Sequence, residues 1–300
     1  MVRVSALVLL AACSGDGSAD DSTPSTGDTG ASVEVAPDYA AWGPWSVGTE
    51  QGEVDGPEGT LTAQFWFPSD DPQGDPESYD GLLEGVASEG LAPACDSPRP
   101  VMVFSHGLGG VRWQSPFYVE HLASHGFVVV AVDHTGSTLS DTNIAELGAV
   151  AMRRPLDVAA AFDGLVEAYP DCVDPDAGYA VSGHSFGGYT AFAAAGAELN
   201  DPTAGGMATT RGDDRVWAVV ALAPWDGSGV ITDGNALIDV PTMVLTGRED
   251  RTTPLLQVRQ LWNPLVTTPR AFGILDEAGH YTFSPVACLL ESGDGCGAAF

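Results

Sequence analysis

The chain has 300 residues, a hydrophobic content of 44%, and 41 acidic against 11 basic residues, for a formal net charge of −30. That apolar content excludes global disorder, and the length suits one or two domains with a large buried core. Every basic residue is an arginine, and so few cations cannot assemble the basic face that nucleic acid requires.

Met1-Val2-Arg3 carries one positive charge, and Val4 to Leu10 is apolar apart from Ser5. This is the pattern of a targeting segment outside the fold. The next residues, Leu10-Ala11-Ala12-Cys13, resemble the lipobox of bacterial lipoproteins. The resemblance implies a signal peptide over residues 1–12 and lipidation of Cys13, so that the chain is exported and anchored to a bacterial membrane, with plain secretion as the alternative. No apolar run reaches the ~18 residues of a spanning helix, so contact with the membrane would run through lipid chains alone. Residues 13–36 are rich in Ser, Thr, Gly and Asp and read as an acidic flexible tether. Their aspartates lack the spacing of a calcium loop. A single folded domain is expected over 37–300.

Leu61 to Pro68 alternates and is aromatic-rich, an early strand. Asp, Pro and Gly clusters fill 69–100, with a short helix-like patch near Tyr79 to Ala87. Val101 to Ser105 reads as a buried strand leading into the turn His106-Gly107-Leu108-Gly109-Gly110. A helix is predicted over Pro116 to Ser124, ended by Gly126, and a strand over Phe127 to Val132. A polar loop to about Ala149 precedes a helix from Pro155 to Ala168, with proline in its first turn. A strand ends at His184, and a helix runs from there to Glu198. A polar loop to Asp214 follows. Strands are expected at Val216 to Leu222, Pro241 to Thr246 and Arg270 to Leu275, and helices at Leu255 to Trp262 and Phe283 to Leu290. Apolar strands alternating with helices imply a mostly parallel sheet covered on both faces.

Gly183-His184-Ser185-Phe186-Gly187 lies where a strand breaks into an Ala-rich helix, the pattern of a nucleophile elbow. A serine needs a base, and the base an orienting acid; in this arrangement they follow the serine as acid, then histidine. His280 is the one histidine after Ser185. Asp250, in a polar turn after a buried strand, is the preferred acid and Asp226 its rival. Glu249 would point elsewhere, and Asp276 lies too near His280 in sequence. The oxyanion formed on attack needs two N–H donors, expected from Phe186 and Leu108. His106 is expected to fix the loop by hydrogen bonds. Trp225 and Trp113 are candidates for lining the substrate cleft, whereas Trp262 reads as packing. Four cysteines remain after Cys13. Cys288 and Cys296 flank a Gly-rich turn and form the first expected disulfide, which leaves Cys95 with Cys172. No C-x-x-C or metal-ligand spacing is present, so neither metal nor cofactor is expected.

Val103 to Gly109, Leu122 to Phe127 and Gly183 to Gly188 resemble platelet-activating-factor acetylhydrolases, α/β-hydrolases that cleave short or oxidised acyl chains from phospholipids. Leu122 to Val129 with Asp133, Ala223-Pro224-Trp225-Asp226, and Glu249-Asp250 with Pro254 are similar to polyester hydrolases of the cutinase and PET-hydrolase type. The resemblance implies an α/β-hydrolase fold, oxyanion donors at Leu108 and Phe186, Asp250 as triad acid and Trp225 in the cleft. Where acetylhydrolases carry their acid this chain has Ala223, which favours Asp250. Leu108 and Phe186 stand where polyester hydrolases usually have other residues. A dienelactone hydrolase would need a cysteine where Ser185 stands. The expected activity is that of a serine carboxylic-ester hydrolase on short-acyl or lipid esters, or alternatively on polyesters. A non-catalytic surface-binding lipoprotein on the same fold is the rival of another class.

Overall fold

The structure, a computed structural model, describes residues 38–231, 233–290 and 294–296. The expected signal peptide, the tether and Cys13 lie outside the described residues. Of the N-terminal unit that ends at Trp42, the described part is a turn at residues 38–42, and the second unit begins at Gly43.

The second unit is built on one nine-stranded sheet. Its chain begins with the hairpin β1 (Ser46–Gly56) and β2 (Gly59–Ser69), then three two-residue strands, β3 (Ser78–Tyr79), β4 (Leu83–Glu84) and β5 (Ser88–Glu89). There follow β6 (Val101–Ser105), α1 (Pro116–Ser124), β7 (Val128–Val132), α2 (Leu147–Ala168), β8 (Tyr179–His184) and α3 (Phe186–Ala194). The hairpin β9 (Glu198–Asp201) and β10 (Met207–Thr210) stands outside the main sheet. The chain then runs through β11 (Val216–Leu222), β12 (Thr242–Gly247), α4 (Leu255–Trp262), β13 (Arg270–Leu275) and α5 (Pro285–Leu290). The sheet order is β13-β12-β11-β8-β6-β7-β2-β1-β5. Its pairs are parallel from β13 to β7, and β2 joins β7 and β1 antiparallel.

Successive residues of a strand face opposite sides, and the central strands are apolar throughout, so both faces are buried. Val101, Val103, Val128, Val130, Val181, Val219 and Val244 pack with side chains of α2, α3 and α4. Met102, Phe104, Val129, Ala131, Val220 and Leu222 pack on the other face with Val119 and Ala123 of α1 and Val286 of α5. Disulfides join Cys95 to Cys172 and Cys288 to Cys296. Among the described residues, no helix is long and apolar enough to cross a membrane.

Three expectations are corrected. The patch at Tyr79 to Ala87 is not helical. The N–H groups of Val86 and Ala87 donate to the carboxylate of Glu120 at 3.0 and 3.2 Å, and the Tyr79 hydroxyl donates to the same group at 2.7 Å. The segment folds as a tight hairpin, with the Leu82 N–H donating to the Tyr79 carbonyl at 3.0 Å, and wraps around the buried Glu120 side chain instead of forming a helix. The second helix begins at Leu147, not Pro155, which lies inside it. Proline lacks the N–H that would reach the carbonyl four residues back. The freed Ala151 carbonyl is taken up by the Tyr189 hydroxyl at 3.3 Å, a partner supplied by α3. The expected loop before Asp214 contains the β9–β10 hairpin, in which Asp201 pairs with Met207.

Candidate active site

Parallel strands end on one edge of a sheet, and four of those ends meet here: the turn after β6, the apex after β8, and the loops after β12 and β13. The apex residue is Ser185, with φ +57° and ψ −115°. A non-glycine residue in that region is strained, and here flanking contacts hold it. The Ser185 N–H donates to the Leu222 carbonyl at 2.9 Å, and the Trp225 N–H donates to the Ser185 carbonyl at 2.9 Å. A Cβ on Gly187 would sit 1.8 Å from the Ser105 carbonyl oxygen, and one on Gly183 would sit 2.4 Å from the Gly187 backbone. The glycines on either side of Ser185 therefore let β8, α3 and the end of β6 touch backbone to backbone.

A cleft of about 790 Å³ opens at this edge. Ser185, His280, Leu108, Phe186 and Trp225 line it, together with Leu139. Among the described residues, none of its lining side chains is Asp, Glu, Lys or Arg. Leu108 is 41% exposed, and its N–H is not taken up by another acceptor among the described residues. Phe186 opens α3, so its N–H is one of the donors a helix leaves unsatisfied at its start. The Trp225 ring stands edge-on to Phe186 with centroids 5.0 Å apart. Trp113 does not line the cleft. It is buried, stacks on Tyr79 with centroids 6.1 Å apart and donates its indole N–H to Asp80 at 3.0 Å. Its place is the core between the sheet and α1, not substrate contact.

His280 is buried, and its Nδ1–H donates to Asp250 Oδ2 at 2.9 Å. That bond fixes the tautomer and leaves Nε2 as the nitrogen able to accept a proton. Asp250 Oδ1 accepts the N–H groups of Thr252 and Thr253 at 3.0 and 2.7 Å. The Thr253 hydroxyl lies 2.9 Å from Asp250 Oδ2, 3.0 Å from the Ala223 carbonyl and 3.1 Å from His280 Nδ1. Asp226 is elsewhere: its carboxylate accepts the Ser228 N–H at 2.9 Å and caps a short turn.

Residues without a motif tie these loops together. Gln114 Oε1 accepts the Gly107 N–H at 3.0 Å, and its amide N–H donates to His184 Nδ1 at 3.0 Å. His184 Nε2–H then donates to the His280 carbonyl at 3.0 Å. Burial pushes the His184 pKa well below the usual histidine value, which keeps the ring neutral, as this pattern of one accepted and one donated proton requires. Under the β6 turn, the Ser105 hydroxyl donates to His134 Nε2 and His134 Nδ1–H donates to Asp157, both at 2.9 Å. His106 Nδ1–H donates to the Gly107 carbonyl at 2.7 Å, and His106 Nε2 accepts the His134 N–H at 3.1 Å. Desolvation, reinforced by Arg154, lowers the pKa of both His106 and His134 well below the ordinary value. Burial pushes Asp157 up to about 7. His106 is thus wholly committed to the turn. Gln114, Thr253 and Arg154 carry no sequence signal of their own, because the partners that place them in the site, His184, His280 and His106, stand 70, 27 and 48 positions away.

The chlorophyllase family matches residues 91–231. Cutinase 2 of Thermobifida cellulosilytica is 28% identical over 184 residues, covering 60% of this chain and 60% of that protein. Cutinase cut1 of Thermobifida fusca is 28% identical over 184 residues, covering 60% of this chain and 49% of that protein. The matched stretch therefore spans less than two thirds of either relative's length. The solved structure of a ferulic acid esterase from Streptomyces cinnamoneus superposes with a TM-score of 0.62 at 24% identity, over 85% of this chain and 81% of that one. The chain has the α/β-hydrolase fold, and its sequence resembles serine esterases of that fold, the cutinases among them.

Proposed function

We propose that the protein is a serine carboxylic-ester hydrolase. One observation carries the reading: an imidazole oriented by Asp250 shares a charge-free cleft with a serine held at a strained strand-to-helix apex. His280 Nε2 takes the Ser185 proton as the oxygen adds to the ester carbonyl. The N–H groups of Leu108 and Phe186 receive the developing oxyanion. The protonated imidazole, held by Asp250, gives its proton to the leaving alcohol. Water then adds to the acyl-enzyme by the same base, releasing the acid and freeing Ser185.

The lining supports neutral esters with apolar acyl groups. With no cation among the described residues that line the cleft and a net charge of −30, a carboxylate or phosphate near the scissile bond would be disfavoured. Similarity to cutinases supports a second reading, hydrolysis of polyester chains laid across the open cleft past Trp225. A panel of a neutral p-nitrophenyl butyrate, its carboxylate-terminated counterpart, a phosphocholine ester and a polyester film sorts these readings. The neutral ester is expected to turn over fastest, and Ser185→Ala to reduce that turnover by at least about 10³-fold. Full activity of the alanine variant, or no covalent capture of Ser185 by a fluorophosphonate, would refute the assignment.

The same proposal includes export and a lipid anchor on Cys13, supported by Leu10-Ala11-Ala12-Cys13. Expressed in a bacterium, the full chain is expected in the membrane fraction and Cys13→Ala in the soluble one. An unchanged distribution would remove the anchor from the account.

A further inference from the structure

Arg154 sits on α2 with none of its side chain exposed, yet it forms no ion pair among the described residues. Its Nε and Nη1 have no hydrogen-bond partner among the described residues either. Burying a cation without a paired anion costs stability, and such a residue calls for a reason beyond packing. Burial pulls its pKa down to about 9, so it remains a cation at neutral pH. Two contacts define what that cation does. Nη2 donates to the His106 carbonyl, in the turn that presents Leu108. The guanidinium carbon lies 4.4 Å from the centroid of the Phe186 ring. The Phe186 ring also meets Trp225 at 5.0 Å, so it is braced between the cation and the cleft wall.

We propose that Arg154 is a positioning residue for both halves of the oxyanion hole. One plane of charge holds the β6 turn through its carbonyl and the first residue of α3 through its ring. Leu108 and Phe186 stand 78 positions apart in the chain, and catalysis requires their N–H groups to converge on one oxygen. A guanidinium suits the task because it donates in its plane and stacks on its face, which an ammonium cannot do at once. The inference rests on the proposed ester hydrolysis, and its test separates the two.

The test compares wild type, Arg154→Met and Arg154→Lys, each checked by near-UV circular dichroism. It measures kcat and KM on p-nitrophenyl butyrate, inhibition by an alkyl trifluoromethyl ketone, and inhibition by the matching methyl ketone. The trifluoromethyl ketone adds the serine oxygen to form a hemiketal oxyanion, whereas the methyl ketone reports the unreacted cleft. Arg154→Met removes the charge but keeps a similar volume. It is expected to lower kcat about 100-fold with KM within about twofold, as a misplaced donor does. The trifluoromethyl ketone should weaken by a similar factor, and the methyl ketone by less than about twofold. Arg154→Lys is expected to lose about tenfold, and it carries the test alone if the methionine variant does not fold. Unchanged kcat and trifluoromethyl ketone affinity would overturn the proposal, and so would equal weakening of both ketones, which would make Arg154 merely structural. A wild type that neither turns over the ester nor binds the fluorinated ketone more tightly than its methyl counterpart would instead overturn the hydrolase reading.

Discussion

Thr253 shows how little of a reacting group's geometry resides in the group itself. Its single proton can go to one oxygen at a time, the Ala223 carbonyl or Asp250 Oδ2, while its lone pair faces His280 Nδ1. The hydroxyl thereby limits rotation of both the carboxylate and the imidazole. Thr253→Val keeps the shape and the backbone N–H that Asp250 Oδ1 accepts, and removes only this restraint. It is expected to lower kcat about tenfold with little change in KM, and Thr253→Ser to restore most of it. A valine variant with wild-type kcat would show that the backbone donors suffice. The serine, the histidine and the acid of the proposed triad could be singled out in the sequence because each has a motif or an expected order along the chain. Thr253, Gln114 and Arg154 could not, since a hydroxyl, an amide and a cation are common side chains whose meaning depends on what folds beside them. Trp113 misled for the same reason: it follows the β6 turn closely, but its indole turns into the layer with Tyr79 rather than the cleft.

At the scale of elements, legibility followed the source of the stabilising contacts. Val101–Ser105, Val128–Val132 and Val216–Leu222 are buried on both faces, so continuous apolar composition is the physical requirement and the visible signal at once. Pro116–Ser124 begins with proline at its first position, where no N–H is needed, and Gly126 follows with φ +95°. β1 gave no such signal. Gly48 and Gly52 leave room for the rings of Phe67 and Phe65 on β2, so the strand owes its place to its partner's side chains rather than its own. The early start of α2 was hidden similarly. Proline normally marks a boundary, but Tyr189 supplies the bond that Pro155 cannot. Local chemistry thus predicts an element when the element satisfies itself. It fails when another segment completes it, as Phe65 and Phe67 do for β1, Glu120 for residues 79–87 and Tyr189 for α2.

The whole molecule responds to acid through its buried histidines. His106, His134 and His184 all have pKa values driven well below the ordinary histidine value, chiefly by burial. The folded chain keeps them neutral, while the unfolded chain takes up three protons as pH falls below about 6.5. Their contribution is therefore present above that pH and lost beneath it. Asp157 works in the opposite sense. Burial raises it to about 7, so between there and its unfolded value near 4 the folded chain holds the extra proton. Glu77, Glu120 and Asp133, whose pKa values burial also raises, act in the same sense as Asp157, so the three imidazole protons outweigh the opposing ones by less than two and the slope lies below about 2.7 kcal/mol per pH unit. The net charge of −30 adds self-repulsion, but ordinary carboxylates begin to take protons only near pH 4–5, and their neutralisation would stabilise the fold. The midpoint of thermal unfolding is thus expected to fall between pH 6 and pH 5, by no more than about 5–10 °C. Sodium chloride at about 0.5 M should leave that drop in place, because desolvation of a buried ring is not screened whereas surface repulsion is. A midpoint that holds steady or rises over this interval would mean that relief of the acidic surface outweighs the three imidazoles, and the balance drawn from the interior would be wrong.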